Sequence, residues 1–281
     1  NLILIGPPGA GKTMLAKRFS SILPPMTLYE ALETTKIHSV AGKLGTEHGL
    51  VAQRPFRNPH HTISDVALIG GGTNPQPGEV SMAHNGVLFL DELPEFKRTV
   101  LEVLRQPLED RNVSISRAKF SVNYPASLTL VASMNPCPCG YYNHPEKECI
   151  CPGGSVQKYL NKVSGPLLDR IDLHVEVAPV SFEQLANSKP SEKSNSIRER
   201  VVSARKIQTK RYNKTKVNCN AEMNSNQLES CCKLNSECKI LLKNAMNKLD
   251  LSARAYNRIL KVARTIADLD NQKNIHPNHI A

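Results

Sequence analysis

Over the first two-thirds of the chain, short apolar runs alternate with longer mixed stretches. Leu2–Ile5, Val87–Leu90, Leu128–Ser133 and Leu173–Val177 are almost unbroken by polar residues, the pattern of parallel strands covered on both faces. The intervals between them are long enough for crossovers. Residues 1–180 are therefore predicted to form an α/β core, a doubly wound parallel sheet. The pattern then fades. Over residues 181–235 Ser, Asn and Lys dominate, and Pro190 with Ser188, Ser191 and Ser194 predicts a linker followed by a variable helical segment. Within it, Ile197–Tyr212 reads as an exposed basic helix. Helical spacing returns from Ser236, at Ile240, Leu241, Ala245 and Leu249, then Ile259, Leu260, Ala263, Ile266 and Ala267, which predicts a small helical domain over residues 236–281. The chain opens on a strand and stops at His279–Ala281 where a helix is starting, so it reads as a fragment cut at both ends.

No run approaches the ~20 apolar residues of a membrane span. The apolar opening lacks the basic flank of a signal peptide. Together these point to the cytoplasm, where eight cysteines favour metal or redox chemistry over structural disulfides. The formal charge of +11 suits an acidic partner, nucleic acid or nucleotide, although a merely basic protein has the same balance. The absence of Trp and low aromatic content argue against sequence-specific base stacking.

The strongest chemistry follows the first strand. Gly6, Pro7, Pro8, Gly9, Ala10, Gly11, Lys12 and Thr13 match G-x-x-x-x-G-K-[ST] between an apolar strand and a helical run, Met14–Leu23. In such a loop the glycines let backbone N–H groups turn around phosphate oxygens, and the helix N-terminus adds partial positive charge. Lys12 reaches the β- and γ-phosphates, and the Thr13 hydroxyl ligates Mg²⁺. The strand Val87–Leu90 ends in two carboxylates, Asp91 for Mg²⁺ and Glu92 as general base toward water. A third strand ends at Asn135, where it can orient that water against the γ-phosphate; open parallel sheets place ligands at this edge.

These three motifs, in this order and about 80 and about 40 residues apart, resemble AAA+ ATPases. The stretches 54–64, 78–86, 135–140 and 165–174 narrow the resemblance to the magnesium-chelatase-like YifB/ComM group, and it returns over residues 251–269. That resemblance implies ATP and Mg²⁺ at the interfaces of a homo-hexameric ring, and DNA branch migration by a helicase in natural transformation. It also implies an N-terminal Lon-protease-like domain in the whole protein. Arg170, in Leu-Leu-Asp-Arg, would be the arginine finger acting on a neighbour's γ-phosphate; a salt bridge to Asp169 or Asp172 is the plain alternative. Arg254 resembles the second nucleotide sensor, with Arg258 one turn later an equal claimant.

Glu109–Tyr124 reads as two strands around a turn with Arg117 and Lys119 near the tip. In relatives such a hairpin enters the ring pore, where a basic tip meets phosphates; an ordinary solvated hairpin would look the same. Residues 66–78 read as a second, glycine-rich and mobile insert. The side chains of His60 and His61, being adjacent, should diverge, which favours a structural or supporting role over a shared metal. Cys137, Cys139, Cys149 and Cys151 have the number and spacing for a closed, structural Zn²⁺ site; labile disulfides or free thiols are the alternative. Two function classes stay open, a DNA-translocating ring motor and a protein-remodelling or metal-inserting ATPase. A third possibility is a fragment inert without its missing N-terminal part.

Overall fold

The computed structural model describes residues 1–44, 49–72, 74–117, 120–179, 191–213, 215 and 217–281. They form two compact units, one of residues 1–21 and 25–191, the other of residues 22–24 and 192–281. Among the described residues no helix is long and apolar enough to cross a membrane.

The first unit is built on a five-stranded sheet in the order β2-β5-β8-β1-β9, from β1 (Leu2–Ile5), β2 (Phe56–Arg57), β5 (Val87–Leu90), β8 (Thr129–Met134) and β9 (Leu173–Glu176). All its pairings are parallel. The register sets Ile5 beside Met134 and Leu90 beside Ala132, so the C-terminal ends of β1, β8 and β5 share one edge. Ile3, Leu88, Phe89, Leu90, Leu130 and Val131 are wholly buried, as expected for strands covered on both faces. β9 departs from that expectation: all four of its residues are exposed, because it is the edge strand of the sheet. The opposite edge, β2, has only two residues and no apolar run to announce it. Arg54 fixes the chain entering β2 by donating to Asn85 O at 2.7 Å and pairing with Glu30 at 3.1 Å. Glu30 itself closes a capping box with Thr27 at the start of α2 (Leu28–Val40).

The expected hairpin is present as β6 (Asn112–Arg117) and β7 (Phe120–Pro125). Val113, Ile115 and Tyr124 bury its base in the core. The described residues of the 66–78 stretch include short regular elements. Helix α3 (Asp65–Ile69) leads into a small antiparallel pair, β3 (Gly70–Gly71) with β4 (Gln76–Pro77). A Cβ on Gly70 would lie 2.4 Å from Gln76 O, so this glycine serves close packing rather than motion.

The second unit contains α9 (Ser194–Arg211), α10 (Ser225–Cys231), α11 (Ser236–Leu249) and α12 (Ala253–Leu269). Leu228, Leu242, Leu260, Ala263 and Ala267 form its apolar core with Tyr212, Met223 and Ile275. Beside that core lies a buried ionic cluster. The Asp268 carboxylate accepts from Arg211 at 2.7 Å, from Asn220 at 2.8 Å and from Arg264 at 3.2 Å. Arg264 is itself buried, and its remaining donors reach Lys273 O and Gln272 O. A buried charge persists only where its hydrogen-bonding capacity is met in this way.

Burial raises the pKa of Asp268, but hydrogen bonds from Arg211 and Asn220 and the charges of Arg211 and Arg264 more than offset it, leaving the carboxyl below its ordinary value. A depressed folded-state pKa gives stability that is fully present above the unfolded-state value, about 3.9, and is lost as pH falls through the folded value. Asp268→Ala leaves two arginines around an empty site and is expected to cost the second unit about 3–5 kcal/mol in urea unfolding at neutral pH. A loss below about 1 kcal/mol would show the cluster to be no more than a surface pair.

Candidate functional site

The site forms where β1, β8 and β5 end. Beyond β1, Gly6 passes so close to the chain after β9 that a Cβ there would lie 2.3 Å from Val177 O. Gly9 and Gly11 take left-handed φ of 80° and 82°, open to glycine without strain. The turn delivers Lys12 as the first residue of α1 (Lys12–Ile22), with Met14 exposed two residues on. The Lys12 ammonium donates to Gly6 O at 2.7 Å, Pro7 O at 2.8 Å and Asn135 Oδ1 at 3.0 Å. Burial draws its pKa below the ordinary lysine value, against the opposing charges of Asp91 and Glu92.

Asp91 ties the site together. Its Oδ2 accepts from Thr13 Oγ1 at 2.8 Å, and its Oδ1 accepts from the Ser133 hydroxyl and from Glu92 N at 3.2 Å. The hydroxyl and the carboxylate thus present two hard oxygens side by side, the donor set that suits Mg²⁺. Glu92 adopts a left-handed backbone, φ 54° and ψ 51°, unusual for a residue with a Cβ and typical of strain held at functional positions. Its N–H is kept there by Asp91 and by Ser133 Oγ at 3.3 Å. The Glu92 side chain is 63% exposed, with its carboxylate 4.0 Å from His61 Nδ1. His60 and His61 do not diverge as the sequence led us to expect: their ring centroids are 4.1 Å apart, and His61 also meets the edge of Phe96. The pair is thus an aromatic stack beside the acid.

Thus Lys12 bonds Asn135 and its chain neighbour Thr13 bonds Asp91, two pairs side by side at the sheet edge, with Glu92 adjoining Asp91. The other candidates stand differently. Arg170 follows α8 (Gly165–Leu168) and is 9% exposed. Its salt-bridge partner is neither Asp169 nor Asp172 but Glu109, at the end of α6 (Arg105–Asp110). Arg254 and Arg258 lie on α12 in the second unit. Arg117 ends β6, whereas Lys119 lies outside the described residues.

Directly after Asn135, the sulfurs of Cys137, Cys139, Cys149 and Cys151 gather within 4.8 Å of one another. None of these thiols is in a disulfide. Backbone N–H groups of Gly140 and Tyr142 point at Cys137 Sγ at 3.2 and 3.3 Å, and that of Cys139 at Cys151 Sγ at 3.4 Å. Converging sulfurs with N–H donors aimed at them fit a closed tetrahedral site for a soft cation. The loop also braces the phosphate site. Gly140, at φ 87°, packs so closely that a Cβ would lie 2.4 Å from Pro8 Cδ.

Sequence reasoning did not pick out Ser133, Gly140, Glu109 or Tyr159. Ser133 has a faint signature, a lone hydroxyl in an apolar strand. Tyr159, whose pKa burial raises to about 12, hydrogen-bonds the Asn135 backbone across a separation that no local pattern encodes.

The sheet order, the phosphate loop and the paired acids define an α/β P-loop NTPase fold with a helical C-terminal unit. Residues 1–185 match the profile "Magnesium chelatase, subunit ChlI", and residues 191–281 match "Magnesium chelatase, subunit ChlI C-terminal". The chain belongs to this AAA+ family, in its ComM/YifB group. It is 49% identical over 282 residues to competence protein ComM of Haemophilus influenzae and 46% identical over 281 residues to the uncharacterized protein YifB of Escherichia coli; each match covers 100% of this chain and 54% of the relative. A more distant match, 32% over 133 residues, is to Lon protease 2 of Bacillus subtilis, covering 43% of this chain and 23% of that protein. The chain thus spans about half the length of the ComM and YifB relatives.

The Gly140 contact generates a prediction. Gly140→Ala places a Cβ where Pro8 now sits and forces a left-handed alanine, costing about 1–2 kcal/mol. Displacement of the phosphate loop should weaken Mg·ATP binding by about tenfold in a fluorescent-nucleotide titration. Unchanged affinity would show that the cysteine loop does not brace the phosphate loop.

Proposed function

We propose that this chain is the ATP-hydrolysing core of a hexameric AAA+ ring motor that acts on DNA in the cytoplasm. The observation that carries the reading is the convergence at one sheet edge of two hydrogen-bonded groups, Lys12 with Asn135 and Thr13 with Asp91 and Ser133, with Glu92 adjoining Asp91. In this reading Thr13 and Asp91 would hold Mg²⁺, which would supply positive charge against the nucleotide's phosphates. Lys12 exchanges its loop carbonyls for phosphate oxygens. Glu92 accepts the proton of the attacking water, and Asn135 orients that water. Arg170 stabilises transition-state charge on the neighbouring subunit's nucleotide, and Arg254 or Arg258 reports nucleotide to the helical unit, the lid of this reading. The pocket's own groups supply the electrostatics and positioning that phosphoryl transfer chiefly needs.

DNA as the partner is supported by the net charge of +11, by the β6–β7 hairpin with Arg117 at the end of its first strand, and by a relative whose name concerns competence. Branch migration during natural transformation is the specific activity we assign. A protein-remodelling or metal-inserting motor is the second reading, favoured by the magnesium chelatase profile and the Lon protease likeness. The four cysteines are assigned to a structural Zn²⁺.

In the full-length protein, Lys12→Ala should abolish nucleotide binding. Glu92→Gln should bind normally and lose turnover by at least about 10²-fold; normal hydrolysis by this variant would refute the base assignment. Four-way-junction DNA should stimulate the wild-type ATPase, and replacing Arg117 and Lys119 by Ala should remove the stimulation. ATPase activity indifferent to DNA would favour the second reading. Metal analysis should find zinc bound stoichiometrically and lost in Cys139→Ser/Cys149→Ser, whereas a metal-free wild type would leave the cluster as thiols alone.

A further inference from the structure

Arg170 is a buried cation satisfied on one side only. Nη1 donates to Pro166 O at 2.6 Å and Nη2 to the Glu109 carboxylate, while Nε is buried and has no hydrogen-bond partner among the described residues. Asn1 donates to Arg170 O at 2.8 Å, holding the backbone below it. Glu109 lies at the rim, its side chain 50% exposed. The pair borders a cavity of about 520 Å³ that Arg105, Gln106, Asp110 and Ser114 also line. A cation that acts on a neighbour's phosphate has to leave its own subunit, yet this guanidinium is drawn inward.

Carboxylate and phosphate compete for the same planar fork of N–H donors. Phosphate oxygens bear the greater charge, so a docked neighbour presenting a triphosphate outbids the carboxylate, and in its absence the carboxylate holds. We propose that Glu109 is a latch: it stores Arg170 against its own subunit and releases it to the neighbour's nucleotide when the ring closes. Glu109 is a positioning residue acting through Arg170, and the latch rests on the reading of Arg170 as the trans-acting cation. Its hold is modest by construction. An ion pair with a half-exposed partner is screened, and shifts an equilibrium by up to about fivefold. That suffices to bias an idle subunit and yields to a bound phosphate.

The test measures ATP turnover per subunit against protein concentration, in full-length wild type, Glu109→Gln, Glu109→Asp and Arg170→Ala, with a thermal melt of each. Glu109→Gln should reach half-maximal turnover at a concentration lower by up to about fivefold, with no loss at the plateau. Glu109→Asp should follow wild type, and Arg170→Ala should stay inactive throughout. An unmoved or upward-shifted curve for Glu109→Gln, or a lost plateau, beside an inactive Arg170→Ala, overturns the latch and leaves the finger standing. Wild-type turnover by Arg170→Ala overturns both. Should Glu109→Gln melt early, Glu109→Ser carries the same expectation. Early melting of both variants would make Glu109 structural and end the proposal.

Discussion

The Asp91 carboxylate is the point on which the site depends. One oxygen takes the hydroxyl of Thr13, from the first turn of α1; the other takes the hydroxyl of Ser133, from the end of β8, and the N–H of Glu92. A single side chain thereby joins three segments far apart in the sequence. It can do so only because β5, β8 and β1 are parallel and adjacent, with their C-terminal ends at one edge. In a low-dielectric setting such charge-assisted bonds are stronger than in water, and leaving any of them unmade costs more. The αL backbone of Glu92 follows: its N–H is held by two acceptors, Asp91 Oδ1 and Ser133 Oγ, which are bonded to each other.

The helical unit meets the problem of buried charge differently. There Asp268 is surrounded by Arg211, Arg264 and Asn220, with nothing left for a ligand to replace. At the phosphate loop, by contrast, Lys12 rests on two carbonyls and an amide oxygen, weaker acceptors than phosphate. A closed network serves stability. A network satisfied by exchangeable neutral acceptors is suited to binding an anion, since phosphate can take the place of carbonyls at little cost in lost partners.

The separation between what the sequence discloses and what it hides follows the range of the interactions. β1, β5 and β8 were readable because burial on both faces demands unbroken apolar runs, and the phosphate loop because its glycines and lysine are contiguous. The helix Ser194–Arg211 was also visible, within a few residues at its start, despite its sparse apolar content. β2 was not, since two residues held by an arginine anchor leave no periodicity. The exposure of β9 was hidden because composition does not distinguish an edge strand from a central one. Arg170 was named from its motif, but its partner Glu109 lies 61 residues away and on another element. His60 and His61 show the reverse error: adjacency in sequence argues for divergence only in regular strands or helices, and here a turn brings their rings together.

The cysteine loop unites these points. Cys137 stands two residues beyond Asn135, and Gly140 touches Pro8. Both halves of the phosphate-facing wall, the amide that holds Lys12 and the loop that carries it, therefore abut one small segment with little regular structure of its own. Such a segment cannot be rigid through backbone ladders. It needs a cross-link, and four sulfurs within 4.8 Å of one another provide the means, whether through a bound cation or through their N–H contacts. Gly140 must then remain glycine for two independent reasons, its left-handed φ and its contact with Pro8. Rigidity at the phosphate edge thus depends on a feature outside the nucleotide motifs themselves.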